Sequence, residues 1–76
     1  MAVLNFQTVD FVWSNYQSNN AWVWITSVGA WRQIRPDNTD AVTKMLALAA
    51  AAKANNRQID VEIDDTLNQI NYITLR

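Results

Sequence analysis

The chain contains no cysteine and no histidine, and it has a single glycine and a single proline among its 76 residues. Without cysteine there is no disulfide and no thiolate metal site, and without histidine only carboxylates could hold a metal ion. A domain of this size buries only about 60% of its unfolded surface, so it usually needs a disulfide, a metal or oligomerisation for stability. The composition leaves oligomerisation as the remedy and indicates no cofactor.

The same absences argue against an enzyme. An activated nucleophile needs a neighbouring base, and none of the serines has a candidate base near it in the sequence. Four carboxylates lie close together and could in principle meet a hard cation, but they lack the ligand loop of an EF-hand. They are Asp60, Glu62, Asp64 and Asp65. Alternation places the first three on the outer face of a strand, so we predict neither catalytic nor metal-binding residues.

Charge of one sign is also scarce, with six basic and seven acidic side chains and a net charge of −1. Binding to nucleic-acid backbones needs clustered Lys and Arg, whereas the basic residues here are scattered along the chain. Nucleic acid is therefore not an expected partner. No apolar run approaches the roughly 20 residues of a membrane span. Residues 1–9 lack the layout of a signal peptide, which leaves the cytoplasm or a mature form with a new start Met.

Apolar residues, in contrast, make up half of the chain, and four of them are tryptophan. Aromatic and β-branched runs with period-two alternation predict strands. In the first strand, Val9, Phe11 and Trp13 should share one face. In the second, Trp22 and Trp24 should share one face and Val23 and Ile25 the other. The predicted strands are residues 4–15, 21–26, 30–34, 58–64 and 70–76, with turns at 16–20, 27–29 and 65–69.

One helix is predicted between the third and fourth strands. Pro36 ends the strand before it, and Asn38 or Thr39 can cap its first turn. The helix should run from about Thr39 to Ala54 and stop at the asparagines that follow. The order β-β-β-α-β-β predicts an α+β fold, mainly β. We interpret residues 1–76 as a single domain with a five-stranded OB-type barrel.

The second half of the chain, "IRPDNTDAVTKMLALAAAAKANNRQIDVEIDDTLNQINYITLR", resembles the B subunits of bacterial AB5 toxins, both cholera-type and Shiga-type. The similarity lies in layout and hydrophobic pattern over residues 31–76. It implies a secreted, doughnut-shaped homopentamer of OB folds whose helices line a central pore. It also implies cell-surface glycan binding and a catalytic A-type subunit as partner. The family's disulfide is absent here, and its sugar-stacking tryptophan would fall near Ile63, so that site does not carry over.

The alanine-rich helix fits such a ring. One face of the helix, with Val42, Met45, Leu46 and Ala49, suits packing on a sheet. A second side is rich in small residues that let backbones approach closely, and we predict that it contacts neighbouring copies. We call this side the helix flank, and it comprises Thr43, Ala47, Leu48 and Ala51. The simpler alternative is a solvated flank, because alanine has the best helix propensity of all residues.

Two groups of residues could bind a glycan, because sugar sites combine an aromatic plane with amide and carboxylate groups. The first-turn group contains Trp13, Asn15, Tyr16, Asn19 and Asn20. The second group, at the link between the third strand and the helix, contains Trp31, Arg35, Asp37 and Asn38. Trp22 and Trp24 are expected in a core or a subunit interface. The leading prediction is a non-enzymatic, lectin-like pentamer, and the alternative is a purely structural or engineered ring without a ligand.

Overall fold

A computed structural model describes residues 2–76 of the chain. They form six strands and one helix, so the predicted α+β fold, mainly β, is confirmed. The elements are β1 (Ala2–Gln7), β2 (Val9–Ser14), β3 (Ala21–Ile25), β4 (Ala30–Ile34), α1 (Thr39–Ala54), β5 (Ile59–Ile63) and β6 (Gln69–Leu75).

All six strands belong to one sheet with the order β1-β5-β6-β4-β3-β2. Neighbouring strands are antiparallel except β4 and β6, which run parallel over Gln33–Ile34 and Gln69–Ile70. The helix packs against β2, β3, β4 and β6 and closes one side of the core. The largest fully buried side chains are Ile25, Ile34, Ile59, Ile70, Val23 and Val61.

The predicted first strand, residues 4–15, was wrong in one respect, because this segment forms two strands rather than one. β1 pairs with β5 and β2 pairs with β3, so the two lie at opposite edges of the sheet. The break falls at Thr8, whose carbonyl accepts a 3.0 Å hydrogen bond from the N–H of Thr26. The ladder therefore has six strands and two edges, and a closed five-stranded barrel is not confirmed.

The position of Thr8 requires a strongly curved sheet. In a flat sheet, five strand spacings of about 4.8 Å would hold β1 and β2 about 24 Å apart. The two residue steps from Gln7 to Val9 span at most about 7 Å. The sheet must consequently roll until its two edges approach each other. Phe6 adopts a left-handed backbone (φ 55°) and the register with β5 shifts between Leu4 and Gln7, which marks where the chain bends.

The prediction that Val9, Phe11 and Trp13 share one face was wrong, because β2 contains a bulge at Asp10. Val9 lies opposite Ile25, but Phe11 lies opposite Trp24, so one extra residue separates them on β2. Such an insertion moves the following side chains to the other face of the sheet. Val9 is therefore buried, whereas Phe11 and Trp13 are exposed on the outer face and do not share the face of Val9.

The helix matches its predicted bounds, and its caps explain them. The side chain of Asn38 accepts a 3.0 Å hydrogen bond from the N–H of Ala41 at the first turn. Asn55 closes the last turn on the carbonyl of Ala51. The buried face consists of Val42, Met45, Ala49 and Ala52, while Leu46 is half-buried. Two fully buried alanines in the C-terminal half of the helix, Ala49 and Ala52, allow its backbone to lie close to the sheet.

The C-terminal hairpin follows the predicted alternation with one exception. Ile59, Val61 and Ile63 are buried as expected, but Asp60 is also buried rather than outward-facing. Its carboxylate accepts hydrogen bonds from the N–H of Phe6 at 3.0 Å and from Nε of Arg76 at 2.7 Å. The buried position is tolerated because the charge is paired with that of Arg76.

Candidate functional site

The outer side of β2, β3 and β4 gathers all four tryptophans together with Phe11. We call these five residues the aromatic face. Alternation along β3 turns Trp22 and Trp24 outward, opposite the buried Val23 and Ile25. The bulge at Asp10 and the register of β4 add the other members, which are Phe11, Trp13 and Trp31.

Cross-strand pairing arranges this face in two rows. In the first row, Phe11, Trp24 and Trp31 pack edge to face or tilted, with ring centroids 5.7 to 6.2 Å apart. In the second row, Trp13 lies opposite Trp22. Aromatic cross-strand pairs stabilise a sheet, yet 57% of Phe11 and 45% of Trp13 remain exposed. The face therefore keeps a large apolar surface open to solvent.

A shallow pocket of about 460 Å³ opens in this face. Its lining consists of Trp13, Asn20, Trp22 and Trp31, and we call it the tryptophan pocket. Three indole rings supply apolar walls, and no charged side chain from the described part of the chain lines it. A pocket of this kind suits a neutral ligand with one apolar face, since ring stacking requires contact area rather than charge.

The amide of Asn20 holds one wall of the tryptophan pocket in position. Its Oδ1 accepts a 2.8 Å hydrogen bond from Nε1 of Trp22. Its Nδ2 donates to Oδ1 of Asn15 at 3.2 Å and to Oε1 of Gln17 at 3.1 Å. Both donors and one lone pair of the amide are thus used within the protein. Asn20 consequently orients Trp22 and has little hydrogen-bonding capacity left for a ligand.

The remaining members of the first-turn group lie away from the pocket. Asn15 forms a turn in which its Oδ1 accepts from the N–H of Gln17 at 3.0 Å. Tyr16 is 96% exposed and does not line the pocket. Asn19 has a left-handed backbone (φ 62°), and its buried Oδ1 accepts no hydrogen bond within the described residues. The structure brings only Trp13 and Asn20 of this group into the pocket.

The second group is also divided. Trp31 lines the tryptophan pocket. Arg35 is paired with Asp37 through two 3.1 Å contacts and reaches Asn71 at 3.4 Å, while Asn38 is the helix cap. The sequence-based interpretation assigned Trp22 to a core or interface and so missed it as a pocket wall. Trp22 could have been identified as a pocket wall from its expected position on β3, between Trp13 on the preceding strand and the residues of β4.

The helix flank lies on the accessible side of α1. Thr43 and Ala47 are exposed, whereas Leu48 and Ala51 are half-buried, and Leu48 packs against the core. Ala50 and Ala54 extend the exposed small-residue surface. The exposed part of the flank therefore consists mainly of small side chains.

The carboxylates of Asp60 and Asp64 are hydrogen-bonded within the protein. The Arg76 side chain, followed by the N–H of Phe6, holds the pKa of Asp60 below its usual value. The N–H groups of Leu67 and Thr66 do the same for the pKa of Asp64, whose Oδ1 accepts both at 2.8 to 2.9 Å. Among residues 2–76, no group of three or more carboxylates is placed to hold a metal ion.

Comparison of the chain with protein-family models, curated proteins and solved structures finds no match, and so none links it to the AB5 toxin B subunits. Within the described part of the chain, no helix combines the length and apolar character that a membrane crossing requires.

Proposed function

We infer that the protein is a non-enzymatic, glycan-binding module that assembles into a homo-oligomeric ring. The observation that carries this inference is the collection of Trp13, Trp22 and Trp31 around one open pocket. Exposed tryptophans cost solvation free energy, and a sugar ring that stacks on them would relieve part of this cost. The pentameric number follows from the resemblance to AB5 toxin B subunits.

The proposal includes an OB-type fold for the curved sheet. The strand order supports it, because residues 2–14 contribute one strand to each edge and only Thr8 separates the two strands. In this interpretation, β1 and β2 are the two halves of a single bent first strand. Each half extends one side of the sheet, and the rolled edges enclose the core beneath α1.

Two features support the ring. The first is the small size of the core in a chain of 76 residues without disulfides. The second is the helix flank, where the exposed alanines would allow the helices of neighbouring copies to approach closely. A ring would also repeat the tryptophan pocket, so that weak single sites would bind a multivalent glycan surface strongly.

Intrinsic tryptophan fluorescence provides a direct test of glycan binding. Neutral oligosaccharides from a positive glycan-array result should change the emission of the wild-type protein in a saturable manner. Trp31→Ala should weaken binding about tenfold, which corresponds to about 1.4 kcal/mol. Tyr72→Ala is the matched control, because Tyr72 is an exposed aromatic residue on β6 outside the pocket. Weaker binding in Tyr16→Ala with unchanged binding in Trp31→Ala would move the site to the first turn.

A structural ring without a ligand is the second candidate, and the aromatic face itself favours it. Phe11, Trp13 and Trp31 could be covered by a neighbouring copy instead of a sugar. In that case, Trp31→Ala should dissociate the assembly, and no glycan should change the fluorescence. The glycan-binding function instead requires that Trp31→Ala retain the mass of the wild-type assembly.

A further inference from the structure

The second cross-strand row continues beyond the tryptophans into two amides. Trp22 lies opposite Gln33 on β4, and Gln33 lies beside Gln69 on the parallel strand β6. Gln33 also follows Trp31 by two residues on the same face of β4. We call Gln33 and Gln69 the amide pair. It borders two of the three indole walls of the tryptophan pocket.

The amide pair has free hydrogen-bonding capacity. Nε2 of Gln69 donates to Oε1 of Gln33 at 3.3 Å, and no other hydrogen bond within residues 2–76 uses either side-chain amide. Both N–H groups of Gln33, one N–H of Gln69 and Oε1 of Gln69 remain available. The side-chain amide of Asn20, by contrast, has no free donor, since both of its N–H groups are already hydrogen-bonded. The polar recognition that the tryptophan pocket lacks is thus present directly beside it.

Charge near this row indicates a neutral ligand. Arg32 lies opposite the buried Val23 and therefore belongs to the inner face of β4. Arg35, which follows on the outer face, is paired with Asp37. Within residues 2–76, no unpaired cation is thus placed on this part of the outer face to bind a carboxylate or sulfate of an acidic sugar.

The length of the row sets the minimum size of the ligand. Gln69 lies two strand spacings from Trp22, a distance of about 10 Å. A single sugar ring stacked on the indoles would not reach Gln69, whereas a second ring would. Both glutamines are half-buried, so their side chains are already partly ordered before a ligand arrives.

We propose that Gln33 and Gln69 form a second subsite, and that the protein binds neutral oligosaccharides of at least two units across the tryptophan pocket and the amide pair. This inference rests on the proposed glycan-binding function. The indoles hold one ring by stacking, and the free amide groups hydrogen-bond the hydroxyl or N-acetyl groups of the next ring.

The test compares disaccharides with their monosaccharide units. Calorimetry or fluorescence titration would use lactose, cellobiose and chitobiose against galactose, glucose and N-acetylglucosamine, with 3′-sialyllactose as the acidic probe. At least one neutral disaccharide should bind more tightly than its own monosaccharides and than sialyllactose. The double variant Gln33→Ala/Gln69→Ala should lose about tenfold in affinity for that disaccharide. Its affinity for the monosaccharide should fall less, because a single ring does not reach Gln69.

Gln58→Ala is the matched control, because Gln58 is an exposed glutamine whose side chain makes no hydrogen bond within the described residues. Fluorescence and melting temperature of the double variant establish that it is folded. Two outcomes would overturn the second subsite and leave the proposed function standing. In the first, the double variant keeps its full affinity for a disaccharide whose binding depends on Trp31. In the second, sialyllactose binds more tightly than the neutral disaccharides. No binding of any of these sugars would overturn both.

Discussion

Arg76 and Asp60 join the residue after β6 to the start of β5 through a 2.7 Å hydrogen bond from Nε to Oδ1. The guanidinium also lies 3.9 Å from the centre of the Phe6 ring, so that it contacts β1 as well. Asp60 accepts the N–H of Phe6 with the same oxygen. One carboxylate thus connects three segments that are distant in sequence.

The pairing of Asp60 with Arg76 predicts that the stability of the fold depends on pH. The folded-state pKa of Asp60 lies below its unfolded value of about 3.9, so its ionised form stabilises the fold above about pH 4. The stabilisation is lost as the pH falls through the folded-state pKa. Asp60→Asn should therefore lower the melting temperature at pH 7, and the difference from wild type should shrink toward pH 2. Thermal melts across this range measure it.

Asp40→Asn serves as the control for that series. Asp40 and Lys44 form a 3.4 Å ion pair in which both side chains are largely exposed, and such surface pairs contribute little. A loss at pH 7 as large as that of Asp60→Asn would show that general charge balance, rather than the pairing of Asp60, sets the acid sensitivity.

The buried alanines of the helix predict that larger side chains at these positions destabilise the protein. Ala49 is fully buried where α1 approaches the sheet, and Ala49→Leu adds volume that the packed core cannot accept. We expect a loss of about 1–3 kcal/mol in the free energy of unfolding, measured by urea denaturation. Thr39→Leu, on the exposed first residue of the helix, should change it by less than about 0.5 kcal/mol. Equal effects would mean that the helix does not lie as close to the sheet as described.

The cap at Asn38 gives a third prediction. Asn38→Ala removes the acceptor of the Ala41 N–H and should cost about 1 kcal/mol of stability. Asn38→Asp keeps an acceptor at the same place and should retain wild-type stability. Equilibrium unfolding of the three proteins distinguishes a lost cap from a general effect of changing the loop, because a general effect would destabilise both variants alike.

The ring predicts the mass of the protein in solution. Light scattering should give a mass near five times that of the 8.7 kDa chain. Ala47→Glu or Leu48→Glu should dissociate the assembly, because an unpaired carboxylate buried between helices is costly. A monomeric wild type at micromolar concentration contradicts the ring. If both variants keep the mass and melting temperature of the parent, the helix flank faces water.

Periodicity in the sequence was sufficient for the helix and for the strands that follow a simple alternation. Thr39–Ala54 and Ala30–Ile34 have the predicted bounds, because caps and Pro36 mark their ends chemically. The break at Thr8 and the bulge at Asp10 could not be predicted in the same manner. Each involves a single residue: Thr8 lies between two strands, and Asp10 is one extra residue within β2. Both depend on how the neighbouring strands pair, and amino-acid composition does not indicate either.

The tryptophan pocket illustrates a second limit. Its walls come from β2, β3 and β4, and grouping residues by neighbourhood in the sequence separated Trp13 from Trp31. Pairing the predicted meander strand by strand would have placed Trp22 between them. The amide pair required more, because Gln69 reaches Gln33 only through the parallel contact of β4 with β6, which no local pattern indicates.

The break at Thr8 has a consequence for the order in which the chain folds. β2 can pair with β3 as soon as the first hairpin exists, but β1 must wait for β5, more than fifty residues later. Contacts of such sequence separation form slowly because the intervening chain must first be ordered. During synthesis, the segment Ala2–Gln7 thus precedes the other five strands of the sheet, yet its partner β5 is made only after β2, β3, β4 and α1.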